Sequence, residues 1–495
     1  MFTKLGNLIA PYKLLLPLCF GVFIAADDQT VVVTLLPDML ADLRVGVSEL
    51  DRASWSITGY LIGYTAAMPL MGRISDRTGY RRAFLLAMAA FTLGSALVAV
   101  SPDIPRWLYG GPPEYNWLVG TRVFQAIGGG AVIPISIAAA SELVDRKHRA
   151  IAYGLIGASA EAGGVFGPLW GGGITTWLSW EWAFWLNIPF TVIAAIWILR
   201  IPPGKRHSVK IDLPTATVFA ALLSLLTIGL VRIGEPDALM ASSLALSVVL
   251  LGVLVALNNR SADPLFPKRL FQLQSFNYSN LTHFLVGAVL IIGMVTVPLM
   301  AASVFGKSPL EGGLQLLRMT IVIGFGAVVG GYVTQRFGAR IPSIAGLLIT
   351  TAGFLLLASW TVDIAEPALT IHLAITGIGL GLLVSPIAET ALWGVQADQR
   401  GAASSLLSVS RMVGMTAGLA AMTALGTVQF QELVADVPAF SLDPDVQKEI
   451  LDSATHAGVE VFTRFFLYGA VISVAALIPA WLMTRSRPIS SSEGN

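Results

Sequence analysis

Charge is scarce in this chain. Only 12% of its 495 residues are Asp, Glu, Lys or Arg, while 55% are hydrophobic and the mean hydropathy is +0.73. That leaves too little polar surface to coat a soluble globule of this size. Cysteine is nearly missing: Cys19 stands alone, which excludes an internal disulfide and leaves the redox compartment open. There is no H-E-x-x-H zinc pair and no G-x-S-x-G nucleophile elbow at a strand-to-helix turn, so the chain reads as no enzyme, with no metal site and no cofactor. A net charge of +1 leaves no basic footprint for nucleic acid. Period-two alternation, which a membrane barrel requires, is also lacking.

What is present is a succession of apolar runs of the length a helix needs to cross the hydrocarbon core. Fourteen are read: 14–37, 53–74, 83–100, 117–141, 150–173, 183–200, 213–232, 239–257, 281–305, 313–334, 342–361, 368–388, 402–427 and 463–484. With no water in the bilayer core each must satisfy its own backbone, so the expectation is an all-α polytopic membrane protein. The first run follows Lys4 and Lys13 but carries Asp27 and Asp28 and lacks a small-residue cleavage site, so it is expected to be a retained helix. With a cytoplasmic N-terminus, inside segments hold 21 of the 31 Lys and Arg residues and outside loops hold six. The positive-inside rule then places both termini in the cytoplasm of a multi-pass protein.

The chain also repeats itself. Gly72-Arg73-Ile74-Ser75-Asp76-Arg77-Thr78-Gly79-Tyr80-Arg81-Arg82 is echoed without a gap by Gly331 to Arg340, which aligns Gly72 with Gly331, Arg77 with Arg336, Gly79 with Gly338 and Arg81 with Arg340. A second echo links Gly128-Gly129-Gly130…Pro134 with Gly379, Gly381 and Pro386, at an offset of about 250. The expected organisation is a six-helix bundle over 1–205, two linker transmembrane helices over 206–262, and a second six-helix bundle over 263–495. Two external segments stand out. Residues 101–116 form a turn-rich loop with four prolines, and 428–462 form an acidic stretch with apolar residues near helical spacing. The latter reads either as a solvated loop or as a vestibule for cargo or an extracytoplasmic accessory protein, with helical extensions of the flanking spans.

Ionisable groups inside a span are costly and therefore the first functional candidates. Asp28 lies nine residues from the outer end of span 1, about 13 Å deep at 1.5 Å per residue. Arg122 and Gln125 share a face of span 4 at comparable depth, so the three can meet in one layer. Asp27 points about 100° away, toward a neighbouring helix. Glu161 lies near the middle of span 5 and Arg411 at similar depth in span 13, at nearly equivalent positions of the repeat. They can form either a bridge that must break for the halves to rock apart or a static ion pair. Arg318 is a further candidate cavity charge, and Arg464 is placed at a membrane edge where it snorkels. Span 5 carries Gly163-x-x-x-Gly167-Pro168-x-x-Gly171-Gly172, which reads as close helix packing or as a hinge.

Four stretches together resemble the major facilitator superfamily. The 72–82 loop resembles its G-x-L-A-D-R-x-G-R-K signature. Asp28-Gln29-Thr30…Leu36-Pro37 resembles the first-helix motif of fourteen-helix drug:proton antiporters, with Val33 in place of Asn. Arg122-Val-Phe-Gln125-Ala-Ile-Gly128 is similar to R-x-x-Q-G, with Ala126 in place of Gly, and the 163–172 glycines are similar to the export motif of helix five. The resemblance implies the major facilitator fold and a role for Asp28, Arg122, Gln125, Glu161 and Arg411 in proton coupling or the substrate cavity. It further implies a cytoplasmic latch at Gly72, Asp76, Arg77, Gly79 and Arg81, one-sided because Gln335 replaces the carboxylate in the second copy. A hinge at Gly163, Gly167, Pro168, Gly171 and Gly172 completes the set.

Glu161, within Gly157–Gly163, departs from the usual small residue of drug antiporters. Together with Trp182-Ala-Phe-Trp185-Leu-Asn187-Ile-Pro189 it looks more like the mycobacterial triacylglycerol and lipoglycan exporters. The expectation is a proton-gradient-driven exporter of hydrophobic or amphiphilic compounds, of the multidrug type, in the bacterial cytoplasmic membrane and acting as a monomer among membrane lipids. The alternative is a lipid exporter of the same fold.

Overall fold

The structure, a computed structural model, describes residues 10–43, 55–233, 237–433, 435 and 444–485. Among these residues there is no strand. Fourteen helices of 18 residues or more follow one another: α1 Leu16–Asp42, α2 Trp55–Thr78, α3 Tyr80–Ala99, α4 Tyr115–Leu143, α5 Arg149–Trp177, α6 Glu181–Ile198, α7 Leu213–Val231, α8 Ala238–Arg260, α9 Gln274–Ser303, α10 Pro309–Phe337, α11 Arg340–Leu357, α12 Glu366–Ala391, α13 Arg400–Leu433 and α14 Pro444–Arg485.

Twelve of them are long and apolar enough to cross a membrane; α2 and α5 are not among the twelve, against the fourteen spans expected. The reason is local. Helix α5 carries eight glycines and Glu161, and α2 ends in Arg73, Asp76 and Arg77. Both helices turn faces toward other helices: α2 packs on α4 and α13, and α5 on α1 and α10. Small and polar residues serve helix–helix contact there and lower the apolarity of the sequence.

Local chemistry fixes the element ends. Ser308 and Glu311 form a capping box at the start of α10, and the Asp212 and Asp237 side chains accept from the amides of Thr215 and Met240 at the starts of α7 and α8. Arg232, and after it the Met240 amide, hold the Asp237 carboxyl below its ordinary value. Gly79 (φ 83°) and Gly338 (φ 80°) make the equivalent turns α2–α3 and α10–α11 in the left-handed region that favours glycine. The sequence echo is therefore an echo of backbone shape as well.

Helices α1–α6 pack among themselves, with α1 on α5, α4 on α2 and α3, and α6 on α3. Helices α9–α14 do likewise, with α9 on α13 and α14, and α12 on α10 and α11. The sets meet mainly through α5 with α10 and α2 with α13, and also through α4 with α13 and α5 with α12, while α7 and α8 pair with each other and α7 rests on α2. The proline-rich 101–116 loop contains a short helix, Ile104–Tyr109. The segment expected over 428–462 is helical at both ends: α13 continues to Leu433 and α14 begins at Pro444. The rest of it, apart from 435, lies outside the described residues.

Candidate functional site

The first charged layer forms where the sequence places it. Arg122 Nη1 lies 2.8 Å from Asp28 Oδ2, and Gln125 Nε2 donates to Asp28 Oδ1 at 2.8 Å. Gln125 Oε1 accepts from Arg122 at 2.5 Å, so the i, i+3 pair on α4 is itself joined. Two residues that sequence reasoning did not single out complete the layer. Asn187 Nδ2 on α6 donates to Asp28 Oδ1 at 2.8 Å, and Ser95 Oγ on α3 accepts from Gln125 at 2.6 Å. The Arg122 guanidinium also lies 4.1 Å from the Tyr60 ring centroid.

Asp28, Gln125 and Ser95 are fully buried, and four helices, α1, α3, α4 and α6, contribute to the layer around one carboxylate. A polar Asn in the middle of the apolar α6 was the signal available for Asn187; Ser95 and Tyr60 gave none, because single Ser and Tyr residues are common in such helices. Asp27 is buried on α1 with Oδ1 lacking a hydrogen-bond partner, and its backbone contacts Gly163 and Gly167 of α5, the neighbouring helix expected.

The second charged pair also forms. Glu161 Oε1 on α5 and Arg411 Nη2 on α13 are 2.5 Å apart, joining the two sets of helices. Arg411 and His283 of α9 line a cavity of about 50 Å³ with Met68, Tyr153 and Val384, and both also line one of about 20 Å³ that reaches Glu161. Since one water needs roughly 10–15 Å³ of such space, these volumes admit a few waters and no lipid. His283 Nδ1 is 2.8 Å from the Leu407 carbonyl oxygen, which ties α9 to α13 one turn before Arg411. It too was missed.

At the end of the helices that carries the Gly79 and Gly338 turns, Asp76 caps α13. Its carboxylate accepts from the backbone amides of Gly401 at 2.7 Å and Ala402 at 3.1 Å, the first turn of α13, where unsatisfied N–H groups and the helix dipole favour an anion. Arg73 stands 3.7 Å from the same carboxylate. Gly72 lies directly against Gly401 and Ser405, leaving no room for a side chain. The remaining latch residues separate: Arg81 donates to the Ile201 carbonyl at 3.0 Å, Gly79 faces Gly204, and Arg77 is exposed. In the second copy Gly331 packs against Ala150 and Ile151 of α5 while Gln335 is exposed, so only one copy carries a helix-capping carboxylate.

The glycines of α5 divide as well. Gly163, Gly167 and Gly171 form one stripe against α1; a Cβ at Gly167 would lie 2.5 Å from the Asp27 carbonyl oxygen. Gly172 faces open space, and α5 runs unbroken through Pro168. Arg318 is not a cavity charge: it pairs with Glu366 at 2.7 Å on a partly exposed surface between α10 and α12. Arg464 pairs with Glu460 one turn earlier on α14, at an exposed position.

At the opposite end from the latch, α13 and α14 splay apart over α9 and enclose a cavity of about 620 Å³. Leu299, Met422, Phe430, Val461, Phe462 and Phe465 give it its apolar walls, and among the described residues its polar groups are hydroxyls and the Gln431 amide, with no ionisable side chain.

Comparisons with known proteins agree with this architecture. The sequence profile of the Major Facilitator Superfamily matches residues 18–300. The chain is 31% identical to the triacylglyceride transporter of Mycolicibacterium smegmatis, over 92% of this chain and 84% of that one. It is 34% identical to the triacylglyceride transporter of Mycolicibacterium hassiacum, over 84% and 79%, and 31% identical to that of Mycobacterium tuberculosis, over 92% and 90%. Among solved structures, the human organic anion transporter MFSD10 superposes with a TM-score of 0.59 at 17% identity, covering 94% of this chain and 99% of that one. The proton:xylose symporter XylE superposes with a TM-score of 0.60 at 13% identity, covering 93% and 94%. At these identities the two structures speak to the fold.

Proposed function

We propose that this chain, which belongs to the major facilitator superfamily and is therefore a multi-pass membrane transporter and not an enzyme, exports a neutral lipid of the triacylglyceride class. The observation that carries the reading is the apolar cavity between α9, α13 and α14. Among the described residues its 620 Å³ are lined without an ionisable side chain, which suits acyl chains and supplies no carboxylate to pair with a lipophilic cation. The names of relatives 31–34% identical over most of their length support the same class of cargo. Lipid export thus displaces the multidrug reading that the motifs alone favoured.

In this reading all fourteen long helices cross the bacterial cytoplasmic membrane, with α2 and α5 shielded by their neighbours and both termini cytoplasmic. Residues 1–205 and 263–495 move as two bundles with 206–262 as the linker pair. The Asp76 cap on α13 closes the cytoplasmic side. The Glu161–Arg411 bridge sits between the bundles and must part when they rock. Protonating Glu161 removes one of its two charges, which couples the movement to the proton gradient in an antiport cycle. The Asp28 layer, held within one bundle by four helices, keeps that bundle rigid through the cycle.

The test is transfer of a fluorescent triacylglyceride between reconstituted vesicles under an imposed pH gradient. The native chain should transfer it. Ala454→Trp, which fills the apolar cavity, should abolish transfer, and Glu161→Gln should uncouple transfer from the gradient. Gradient-driven movement of lipophilic cations with no lipid transfer would overturn the reading in favour of drug efflux.

A further inference from the structure

A second apolar groove, remote from the α9–α13–α14 cavity, lies at the latch end of the molecule. Its walls are Phe219 of α7, Leu251, Leu254 and Val255 of α8, and Phe266 and Phe271 of the segment that follows α8; the whole encloses about 400 Å³. The groove is built rather than incidental. Asn258 closes a two-point clamp on this segment, its Nδ2 donating to the Phe266 carbonyl and its Oδ1 accepting from the Phe266 amide, each at 2.9 Å. Phe266 then stands edge-on to Phe219, with ring centroids 5.0 Å apart, and forms the floor.

Polarity is confined to one end. Asn258, Asn259 and Lys268 line that end, and Lys268 reaches the Asn259 carbonyl at 3.4 Å, where the last turn of α8 leaves its oxygens unbonded. Arg260 and Arg269, the sequence neighbours of Asn259 and Lys268, are exposed, and none of the three cations forms an ion pair among the described residues. Asp263, half-buried in the same segment, is the only acidic residue between positions 238 and 310. From Leu251 to Asn259 the groove follows eight residues of helix, about 12 Å at 1.5 Å per residue. That is close to the depth of one leaflet, half of a hydrocarbon core about 30 Å thick.

An apolar channel one leaflet deep, with Lys268 at its polar end and Arg260 and Arg269 each next in sequence to a lining residue, matches one class of molecule. We propose that this groove binds an anionic glycerophospholipid of the leaflet at the latch end, with one acyl chain along α8 and its phosphate among Arg260, Lys268 and Arg269. The site is independent of the transport reading, since it rests on α7, α8 and the 261–272 segment and needs no assumption about cargo. Its occupant would fasten the α7–α8 pair to the α13 side of the molecule, because Leu406 of α13 also lines the groove.

The experiment uses the full chain in phosphatidylcholine vesicles doped with a diazirine-acyl phosphatidylglycerol or, separately, a diazirine-acyl phosphatidylcholine. Cross-linked residues are then mapped by mass spectrometry. Labelling of 251–259 and 266–271 by the phosphatidylglycerol probe should exceed that by the phosphatidylcholine probe at least about five-fold, the factor that one basic residue beside an anionic headgroup gives. The triple variant R260Q/K268Q/R269Q, altered only at exposed side chains, should bring the ratio to about one. Val255→Trp should remove groove labelling by both probes and leave labelling of 295–303 unchanged. Equal labelling of the native groove by the two probes would show ordinary boundary lipid and overturn the proposal. So would a phosphatidylglycerol preference that survives the triple substitution.

Discussion

Removing the charge of Asp28 while keeping its shape, as in Asp28→Asn, should be among the most damaging single substitutions in the chain. Three donors converge on that carboxylate: Arg122, Gln125 and Asn187, all within 2.8 Å and all buried. Hydrogen bonds to a charged group are worth about 1.5–3 kcal/mol each, so a naive sum approaches 5–9 kcal/mol. That sum double-counts, because the donors partly satisfy one another: Gln125 still holds Arg122 at 2.5 Å and Ser95 at 2.6 Å.

The better guide is the cost of breaking a buried ion pair from one side, about 3–5 kcal/mol, because Arg122 is left as an uncompensated charge. Arg122→Gln should cost a similar amount by stranding Asp28. The double variant removes both charges and should cost no more than either single, giving a coupling energy of about 3 kcal/mol or more, at the upper end of values for residues in contact. Thermal unfolding of purified protein in one detergent, for all four members of the cycle, measures this. Losses that add to within about 0.5 kcal/mol would refute the reasoning. They would mean that Asp28 and Arg122 are satisfied separately, for instance by water.

The remaining predictions concern single contacts. Gly167→Ala places a Cβ 2.5 Å from the Asp27 carbonyl oxygen and should prevent assembly of a monodisperse protein, whereas Gly172→Ala, in open space, should change stability by no more than about 0.5 kcal/mol. Asp76→Ala removes two amide acceptor contacts at the start of α13 and should cost about 0.5–2 kcal/mol, the worth of a helix cap. In the proposed cycle that contact closes the latch end, so a cysteine placed at Ser405 should react faster with a soluble maleimide in the Asp76→Ala background; an unchanged rate would remove the latch from the cycle. Arg318→Gln removes a partly exposed pair with Glu366 and a hydrogen bond to Thr370, and should change stability by no more than about 1 kcal/mol and leave lipid transfer unchanged within error.

How far the sequence carries can be seen residue by residue. Asp28, Arg122 and Gln125 were expected in one layer from depth alone, and they bond there. Glu161 and Arg411 were matched through the repeat offset, and they bond across the two sets of helices. Depth along a helix is a linear function of sequence position, and a duplication carries positions into register, so both kinds of inference need no tertiary information. Arg318 has similar depth credentials but faces outward to Glu366, because which side of a helix faces the cavity depends on how it is rotated against its neighbours. Asn187, Ser95 and His283 escaped notice for the converse reason. Uncharged or weakly charged groups carry no desolvation penalty large enough to mark them as exceptional until their partners are known.

The sequence by itself determined the solvent, the secondary structure and the duplication. Sparse charge and long apolar runs leave helices as the only backbone solution in a bilayer, and the aligned glycine-marked loops fix two equivalent turns. Only the tertiary structure decided the rest. It showed that Asp76 accepts from the amides of another helix as well as pairing with Arg73, and that three of the α5 glycines face α1 while Gly172 does not. It also showed that α9, α13 and α14 diverge to leave an apolar cavity with no ionisable side chain among its described lining residues. Those outcomes depend on which helix faces meet and how far apart helices stand. Hydrophobic pattern constrains them weakly in a protein whose lipid-facing and protein-facing residues are almost equally apolar.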